Sequence, residues 1–376
     1  MQLKDIAEYA IERISSENVS LENYITTDNL LPDKQGRTIA VNLPPQKCTL
    51  TRYTVGDILI ANIRPYLKKI WMADTDGGAS NDVLVFRAKE GYSSKYLYAV
   101  LLQDTFYNWV MKAPRGSQMP RGDKNHIMHF SIVDIGASRD NIGELLSNLD
   151  RKIALNRQIN ANLEVLARQL YDYWFVQFDF PDANGKPYKS SGGKMVYNPQ
   201  LKREIPEGWN YLTTDKITNV ITGKEDANFS VPDGKYPFFT CSRENLRCNI
   251  SAFSGKAILI AGNGEFNVKH YTGEFNAYQR TYVLIPNDKK FYGVLYFAAH
   301  NKIDLFKAQS NGSIIKFITK GDVENIGVFD CQTPYLYKYL NTLIETIELN
   351  EHEITSLTRQ RDELLPLLMN GQVTIE

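Results

Sequence analysis

Basic and small polar side chains cluster around two Gly-Ser pairs, and side chains of these types can bind nucleic acid. Gly116-Ser117 lies within Lys112–Lys124, which has four basic residues and one acidic residue. Gly312-Ser313 lies within Lys307–Lys320, which has three basic residues and no acidic one. Glycine allows close backbone approach, and basic, Ser, Asn and Gln side chains contact phosphates or base edges. Both stretches predict DNA contact, although a solvated loop can have the same composition.

Other polar side chains near these stretches and near a repeated strand are candidates for the same contact. Arginine is the usual bidentate reader of guanine, and asparagine or glutamine of adenine. The candidate DNA-binding residues are Arg64, Lys68, Lys69, Arg115, Ser117, Gln118, Arg121, Lys124, Arg243, Asn245, Arg247, Asn263, Lys269, Gln279, Arg280, Asn311, Ser313 and Lys316.

No group of residues has the spacing of a catalytic motif. Gly262-Asn263-Gly264 follows an apolar run, but the pattern G-x-G-x-x-G fails at Asn267, so a tight turn is predicted. There is no phosphate-binding loop and no locally supported Ser/His/Asp or Cys/His grouping. The four cysteines and five histidines lack zinc spacing, which predicts free buried thiols. The sequence therefore predicts no catalytic residue, cofactor or metal, and the open alternative is an autonomous enzyme with an unrecognised site.

Composition limits the class of protein further. The 376 residues suggest two or three domains. Lys+Arg and Asp+Glu are both 43, which excludes a wholly basic protein, and the 43% hydrophobic content is typical of a globular chain. The N-terminus has no apolar signal region, and the apolar runs are too short for a membrane span. A cytoplasmic location is expected.

The chain contains an internal duplication. Ile58-Leu59-Ile60-Ala61 recurs as Ile258-Leu259-Ile260-Ala261, the Gly-Ser pair recurs after 196 residues, and Ile153-Ala154-Leu155-Asn156 corresponds to Ile347-Glu348-Leu349-Asn350. The order is kept while the offset drifts slowly from 200 to 194 residues. We therefore expect two copies of one domain.

Each copy has a strand-rich part followed by a long helix. Residues 57–61, 83–86, 257–261 and 281–285 predict buried strands, and residues 95–109 and 293–307 predict helices. Strands and helices do not alternate regularly, so the predicted class is α+β rather than a doubly wound sheet.

Both long helices carry apolar residues at the 4-3-4-3 spacing of a coiled-coil seam. We expect the two helices to form an antiparallel coiled coil, the alternative being that each packs on its own domain. Asn156 and Asn350 occupy equivalent seam positions, where a buried Asn fixes register. The predicted seam is Ile142, Leu146, Leu149, Ile153, Asn156, Asn160, Leu163, Ala167, Leu170 and Trp174, with Leu336, Leu340, Leu343, Ile347, Asn350, Ile354, Leu357, Arg361, Leu364 and Leu368.

The segment between the copies has the most specific pattern in the chain. Residues 170–181 read LYDYWFVQFDFP, residues 184–195 read NGKPYKSSGGKM, and residues 205–209 read IPEGW. With LLPLLMNGQV at residues 364–373, these runs closely resemble the specificity subunits of type I restriction-modification systems. The resemblance covers essentially the whole chain.

The resemblance implies two target-recognition domains, each reading half of a split DNA site, with the helices as an antiparallel spacer. It implies docking of two methyltransferase subunits, with motor-nuclease subunits joining for cleavage, so that methyl donor, ATP and metal belong to the partners. A coiled-coil scaffold without DNA binding is the remaining alternative. The expected boundaries are 1–141 and 209–333 for the recognition domains, 142–176 and 334–370 for the helices, and 177–208 for the linker.

An aromatic run at the end of the first helix is expected to be a partner surface. Tyr171, Tyr173, Trp174 and Phe175, together with the outer helix faces, exceed what one two-helix seam can bury. Exposed aromatic surface usually marks an interface. We expect a methyltransferase subunit to cover part of it.

Overall fold

The structure is a computed structural model that describes residues 1–116, 119–309, 317–331 and 333–375, without the side chains of Arg115, Ala308 and Gln309. It divides into two compact units. Unit 1 comprises Met1–Gln158 and His352–Glu376, and unit 2 comprises Ile159–Glu351. Each unit contains strands, short helices and a part of both long helices, so the predicted α+β class with two strand-rich domains and long helices is confirmed.

Unit 1 is built on two four-stranded sheets, ordered β1-β8-β5-β6 and β2-β4-β7-β3, and a short β9-β10 pair. The predicted strands at 57–61 and 83–86 are confirmed as β5 and β8, which pair antiparallel. The strands are β1 Ala7–Tyr9, β2 Arg13–Ser15, β3 Tyr24–Ile25, β4 Thr49–Tyr53, β5 Ile58–Ala61, β6 Ile70–Met72, β7 Gly77–Ala79, β8 Val83–Ala88, β9 Pro114–Arg115 and β10 Arg121–Gly122.

The helices of unit 1 pack against the β1-β8-β5-β6 sheet and form the core of the unit. The prediction of a single helix at 95–109 is wrong in one respect. The backbone is extended at Gln103 (ψ 140°), which divides the segment into two helices. The helices that lie wholly in this unit are α1 Leu3–Ile6, α2 Ser94–Leu102, α3 Asp104–Val110 and α4 Lys124–Ile127.

Unit 2 has a six-stranded sheet, ordered β14-β19-β17-β18-β15-β16, and the pairs β11-β12 and β13-β20. The strands predicted at 257–261 and 281–285 are confirmed as the buried parts of β17 and β19. The elements are β11 Met195–Asn198, β12 Arg203–Pro206, β13 Asn210–Thr213, α6 Thr214–Ile217, β14 Ile221–Thr222, β15 Tyr236–Phe239, β16 Leu246–Cys248, β17 Phe253–Ala261, β18 Val268–Ala277, β19 Thr281–Leu284, α7 Phe291–Gln309, α8 Lys320–Glu324 and β20 Gly327–Asp330.

The long helices are α5, Arg139–Tyr171, and α9, Pro334–Met369. Every predicted seam position on both helices is buried or half-buried. In unit 1, Asp150 pairs with Arg361 and Asn156 with Glu353; in unit 2, Asn160 contacts Ile347. In unit 2, Trp174, just after the end of α5, also contacts Tyr339 near the start of α9. In each unit the α9 partner numbers fall as the α5 numbers rise, so the helices pair antiparallel, as predicted.

The seam asparagines are satisfied by polar partners on the facing helix. In unit 1, Asn156 Nδ2 donates to Glu353 Oε2 at 2.6 Å. In unit 2, Asn350 Nδ2 donates to Asn160 Oδ1 at 2.8 Å, and Asn160 Nδ2 donates to the Ile347 carbonyl at 3.1 Å. Such geometry-dependent contacts favour one register over slipped alternatives.

Two glycines allow the domain helices to approach the long helices closely. A Cβ at Gly143 in α5 would lie 2.6 Å from the Tyr96 backbone nitrogen of α2. A Cβ at Gly293 in α7 would lie 2.8 Å from Asn341 Oδ1 of α9, and the Gly293 N–H instead donates to that oxygen. A larger side chain at either position would separate helices that share one core.

The prediction that the aromatic run after residue 170 is an exposed partner surface is wrong. Tyr171, Trp174 and Phe175 are buried in the core of unit 2, and Tyr173 is half-buried beside them. The chain forms one π-helical turn at Asp172–Val176. Rings from the following segment and from β20 complete this core: Phe178, Phe180, Trp209 and Phe329. The segment expected to be a linker thus supplies the missing partners of the aromatic run.

No helix among the described residues is long and apolar enough to span a bilayer. The four cysteines carry no disulfide. The expectation that all are buried is wrong for Cys48, which is exposed, and for Cys241, which is half-buried. Cys48 lies just before β4, where the chain is still on the surface.

Candidate nucleic-acid interface

In unit 1, two candidate stretches far apart in sequence form one surface. The turn after β5 pairs with β10 through an antiparallel bridge between Ile63 and Arg121. The Arg64 N–H donates to the Pro120 carbonyl at 2.9 Å, and the Gly122 N–H donates to the Asn62 carbonyl at 3.3 Å. The basic turn and the segment that follows the first Gly-Ser pair therefore lie side by side.

Unit 2 repeats this arrangement at equivalent positions. Asn263, in the loop after β17, forms an antiparallel bridge with Phe317, which follows the second Gly-Ser pair. The Ile318 N–H donates to the Gly262 carbonyl at 2.8 Å, and the Gly262 N–H donates to the Arg280 carbonyl at 2.8 Å. Gly262-Asn263-Gly264, predicted as a tight turn, instead opens a six-residue loop between β17 and β18, which the Ala261 N–H closes by donating to the Asn267 carbonyl at 3.0 Å.

Three candidate side chains in unit 1 are exposed on this surface. Arg64 has left-handed backbone geometry (φ 51°) and lies at the N-terminus of a short 3₁₀ turn. Arg121 lies 3.0 Å from Asp82 in an ion pair whose two members are about half exposed. Lys124 lies 5.8 Å above the Tyr9 ring. Exposed pairs of this kind contribute little to stability, so these side chains can exchange partners.

Lys68 and Lys69 are engaged within unit 1 instead. Lys68 Nζ lies 3.0 Å from Asp104 Oδ1. Lys69 Nζ donates to the Thr27 carbonyl at 2.5 Å, and burial lowers the pKa of this lysine. Both contacts hold the turn after β5 in place, which gives these lysines a structural role beside any contact with DNA.

The candidate side chains of unit 2 also divide into exposed ones and ones that bind groups of their own domain. Gln279 and Arg280 are exposed, Asn263 is half-buried, and Arg243 forms an exposed pair with Glu265 at 3.1 Å. Arg247 is bound to its own domain, because Nε and Nη2 donate to the carbonyls of Gly234 and Lys235 at 2.5 and 2.7 Å. Its side chain fixes the β15-β16 hairpin.

Lys269 and Asn245 form a contact of their own. Lys269 Nζ donates to Asn245 Oδ1 at 2.8 Å and to the Ser242 carbonyl at 2.6 Å. Burial lowers the pKa of Lys269 to about 8.

The remaining candidates lie outside the described residues or side chains: Arg115, Ser117, Gln118, Asn311, Ser313 and Lys316.

Two side chains that sequence reasoning missed, Arg168 and His300, line a cleft with Lys269 and with Lys307, the first residue of the second basic stretch. They come from α5 and α7, and their sequence positions carry no recognisable motif. The periodicity of α5 placed Arg168 outside the seam, but nothing in the sequence indicates what it faces. Within the part of the chain that the structure describes, no three His, Cys, Asp or Glu side chains converge as metal ligands.

Comparisons with known proteins point to one class. No family model matches the chain. The EcoDI specificity subunit of Escherichia coli, a type I restriction enzyme subunit, is 37% identical over 180 residues, which cover 46% of this chain and 40% of that relative. The MjaIX specificity subunit of Methanocaldococcus jannaschii is 23% identical over 360 residues, covering 88% and 81%.

The fold agrees with these matches. The crystal structure of a type I restriction-modification S subunit from M. genitalium superposes with a TM-score of 0.63 at 15% identity, over 98% of this chain and 95% of that one. The chain is thus similar in sequence to type I restriction specificity subunits, and its fold is similar to that of an S subunit. This confirms the family resemblance that the segment between the two copies predicts.

Proposed function

We propose that the chain is the non-catalytic DNA-specificity subunit of a cytoplasmic type I restriction-modification complex. The strand-rich part of each unit, expected at 1–141 and 209–333, reads one half of a bipartite DNA site. Base edges are read chiefly by side-chain donors and acceptors, which loops held by a rigid sheet can present.

The observation that carries this proposal is the repeated surface at the end of β5 in unit 1 and of β17 in unit 2. In each unit the turn or loop after that strand pairs with a segment that flanks a Gly-Ser stretch, through Ile63 and Arg121 in unit 1 and through Asn263 and Phe317 in unit 2. Two equivalent polar surfaces in one chain fit two half-sites on one duplex. The names of the relatives support the same class.

The helices supply apolar surface for partner subunits. Several apolar side chains on α5 and α9 are exposed although they lie on long, otherwise packed helices: Leu155, Val165, Leu166, Tyr339 and Leu349. Leu349 is 69% exposed. Apolar side chains on a surface of this kind fit docking of two methyltransferase subunits, with motor-nuclease subunits joining for cleavage. Methyl donor, ATP and metal would then be bound by the partners.

Selection from a pool of random duplexes tests the proposal. The full chain, alone and co-expressed with methyltransferase subunits, is bound to the pool and the retained DNA is sequenced. We expect two short fixed blocks separated by a spacer of constant length and variable sequence. Mapping of methylated adenines in DNA exposed to the complex should give the same two blocks. A single contiguous block contradicts the bipartite model, and an intact complex that enriches no sequence identifies a scaffold instead.

A further inference from the structure

We propose that a basic cleft in unit 2 binds the phosphate backbone of DNA, an inference that rests on the proposed function. The cleft has a volume of about 340 Å³. It lies between the start of β18, the α5 helix and the C-terminal half of α7. Its titratable lining residues are Arg168, Arg243, Lys269, His300, Asp304 and Lys307.

The cations of the cleft outnumber its carboxylates. Arg168 Nη1 lies 3.4 Å and Lys307 Nζ 3.5 Å from the same residue, Asp304. Lys269 donates to two neutral oxygens, those of Ser242 and Asn245. The low pKa of Lys269 reflects burial of a charge that these oxygens only partly compensate. A phosphate oxygen placed here would supply the missing negative charge through charge-assisted hydrogen bonds.

His300 holds Arg168 in place at the cleft. Arg168 Nη2 lies 2.8 Å from His300 Nδ1, and because arginine has only donors, that nitrogen accepts. The proton of the neutral imidazole is then on Nε2. The His300 ring packs edge-on against Tyr296, with the ring centroids 4.6 Å apart. Burial and the Arg168 charge lower the pKa of His300 to about 4, so it remains a neutral acceptor at physiological pH. His300 is therefore a positioning residue for the Arg168 guanidinium.

The equivalent cleft of unit 1 has the opposite charge balance. Its volume is about 230 Å³, and by the repeat offset Asp362 takes the position of Arg168. Lys34 Nζ, buried in that cleft, lies 2.8 Å from Asp104 and 4.0 Å from Asp362. Two lysines there face three aspartates: Lys34 and Lys68 with Asp33, Asp104 and Asp362. The fold does not require a positive cleft at this position, so the charge in unit 2 indicates a ligand.

The cleft adjoins the candidate DNA surface of unit 2. Its β18 side begins directly after the loop that Gly262-Asn263-Gly264 opens, and Lys307 stands in the last turn of α7. Contacts with phosphates fix the register of a protein on the duplex without reading sequence. The cleft would therefore orient unit 2 while the neighbouring loop contacts base edges.

The salt dependence of DNA binding tests this assignment. The affinity of the full chain for a mixed-sequence duplex is measured over a range of salt concentrations, in whichever assembly binds DNA. The variants are Lys307→Gln and Arg168→Gln, with Lys302→Gln as a matched control on α7 outside the cleft. Each cleft variant should lower the slope of log affinity against log salt by about 1 and weaken all sequences equally. Lys302→Gln should keep the wild-type slope.

A second readout needs no variant. Acetylation of lysines in the wild-type chain, followed by mass spectrometry, should show Lys307 and Lys269 protected by DNA and Lys302 unchanged. If the wild type binds DNA, both cleft variants keep the wild-type slope and neither lysine is protected, the cleft assignment is wrong while the proposed function stands. A wild-type chain that binds no DNA contradicts the proposed function itself. If inorganic phosphate raises the Tm of the wild type but not of the variants while the slopes stay equal, the cleft binds a free anion instead.

Discussion

Arg361 and Asp150 form a buried ion pair across the two long helices within unit 1. Nη1 of Arg361 lies 2.7 Å from Oδ1 of Asp150, and the two side chains are 3% and 16% exposed. The Tyr98 hydroxyl donates to the other Asp150 oxygen at 2.7 Å, which ties α2 to the pair. Nη2 of Arg361 lies 2.8 Å from Asp362. The sequence periodicity predicted a seam position for Arg361, and the structure gives the reason that a charge is tolerated there.

The first prediction concerns this pair. Arg361→Met leaves the Asp150 carboxylate buried without its cation, and we expect a loss of about 3–5 kcal/mol in the free energy of unfolding. The triple variant Tyr98→Phe, Asp150→Leu, Arg361→Met removes every buried partner together and should recover most of that loss. Chemical denaturation of the full chain measures both. Arg359→Met, in an exposed pair with Glu363 on the same helix, is the control and should unfold like the wild type. Equal midpoints for Arg361→Met and Arg359→Met would contradict a structural role.

Periodicity predicted the helices and the seam because these depend on spacing within a single element. The 4-3 spacing alone predicted that Leu340 and Ile347, for example, are buried, and both are. The surroundings of Trp174 and Phe175 could not be predicted in this way. The Phe175 ring contacts Trp209 and Tyr337, and the Trp174 ring contacts Tyr339, all from other segments of the chain. A count of apolar residues on one helix therefore overestimated its exposed surface.

The candidate site was predicted from charge and from the repeat, and this signal does not distinguish a free cation from an engaged one. Arg64 and Arg121 are exposed as expected, whereas the Arg247 donors are occupied by carbonyls of its own hairpin. The basic cleft was missed because Arg168 and Lys307 are brought together only by helix packing. The charge of Arg168 is unremarkable in the sequence of its own helix, and Lys307 was noted only as the first residue of the second basic stretch.

The second prediction concerns the pH dependence of stability and depends on His300. Its pKa in the folded chain is about 4, below the usual 6.5, so the unfolded chain binds the proton first as the pH falls. Stability from this group is therefore complete above about pH 6.5 and is lost progressively down to about pH 4. Over this window the Tm of His300→Gln should fall less than that of the wild type. His352→Gln, at an exposed position of α9, is the control, and identical pH profiles for His300→Gln and the wild type would contradict the assignment.

The third prediction separates the two roles open to Arg121. Arg121→Ala should weaken recognition of one half-site, by about 1–3 kcal/mol at one base position if it reads a base, or equally for all sequences if it contacts a phosphate. Asp82→Asn removes the protein partner of Arg121 and frees the guanidinium, so DNA affinity should be kept or increased. Competition binding with half-site variants measures both effects. If the two substitutions weaken binding alike, Arg121 acts only through Asp82.

The last prediction treats the helix pair as a ruler between half-sites. The α5 and α9 helices contain 33 and 36 residues, so each is roughly 50 Å long at 1.5 Å per residue. A seven-residue insertion keeps the seam in phase because the apolar pattern repeats every seven residues. It adds about 10 Å to each helix, or up to roughly three base pairs of B-DNA at 3.4 Å each.

The insertions belong at the boundary of the compact units, after Gln158 in α5 and after Glu351 in α9. Insertion at these points leaves the contact between Arg157 and Gln35 within unit 1. It also leaves the contacts of Glu348 with His270 and Tyr292 within unit 2. We expect both half-sequences to remain unchanged and the spacer to lengthen by one to three base pairs, as mapped by methylation with the engineered complex. The control inserts five residues in each helix, which rotates the apolar positions by about 140° at 3.6 residues per turn and should prevent a defined spacer. An altered half-sequence with an unchanged spacer would place specificity in the helices themselves, because only they have been changed.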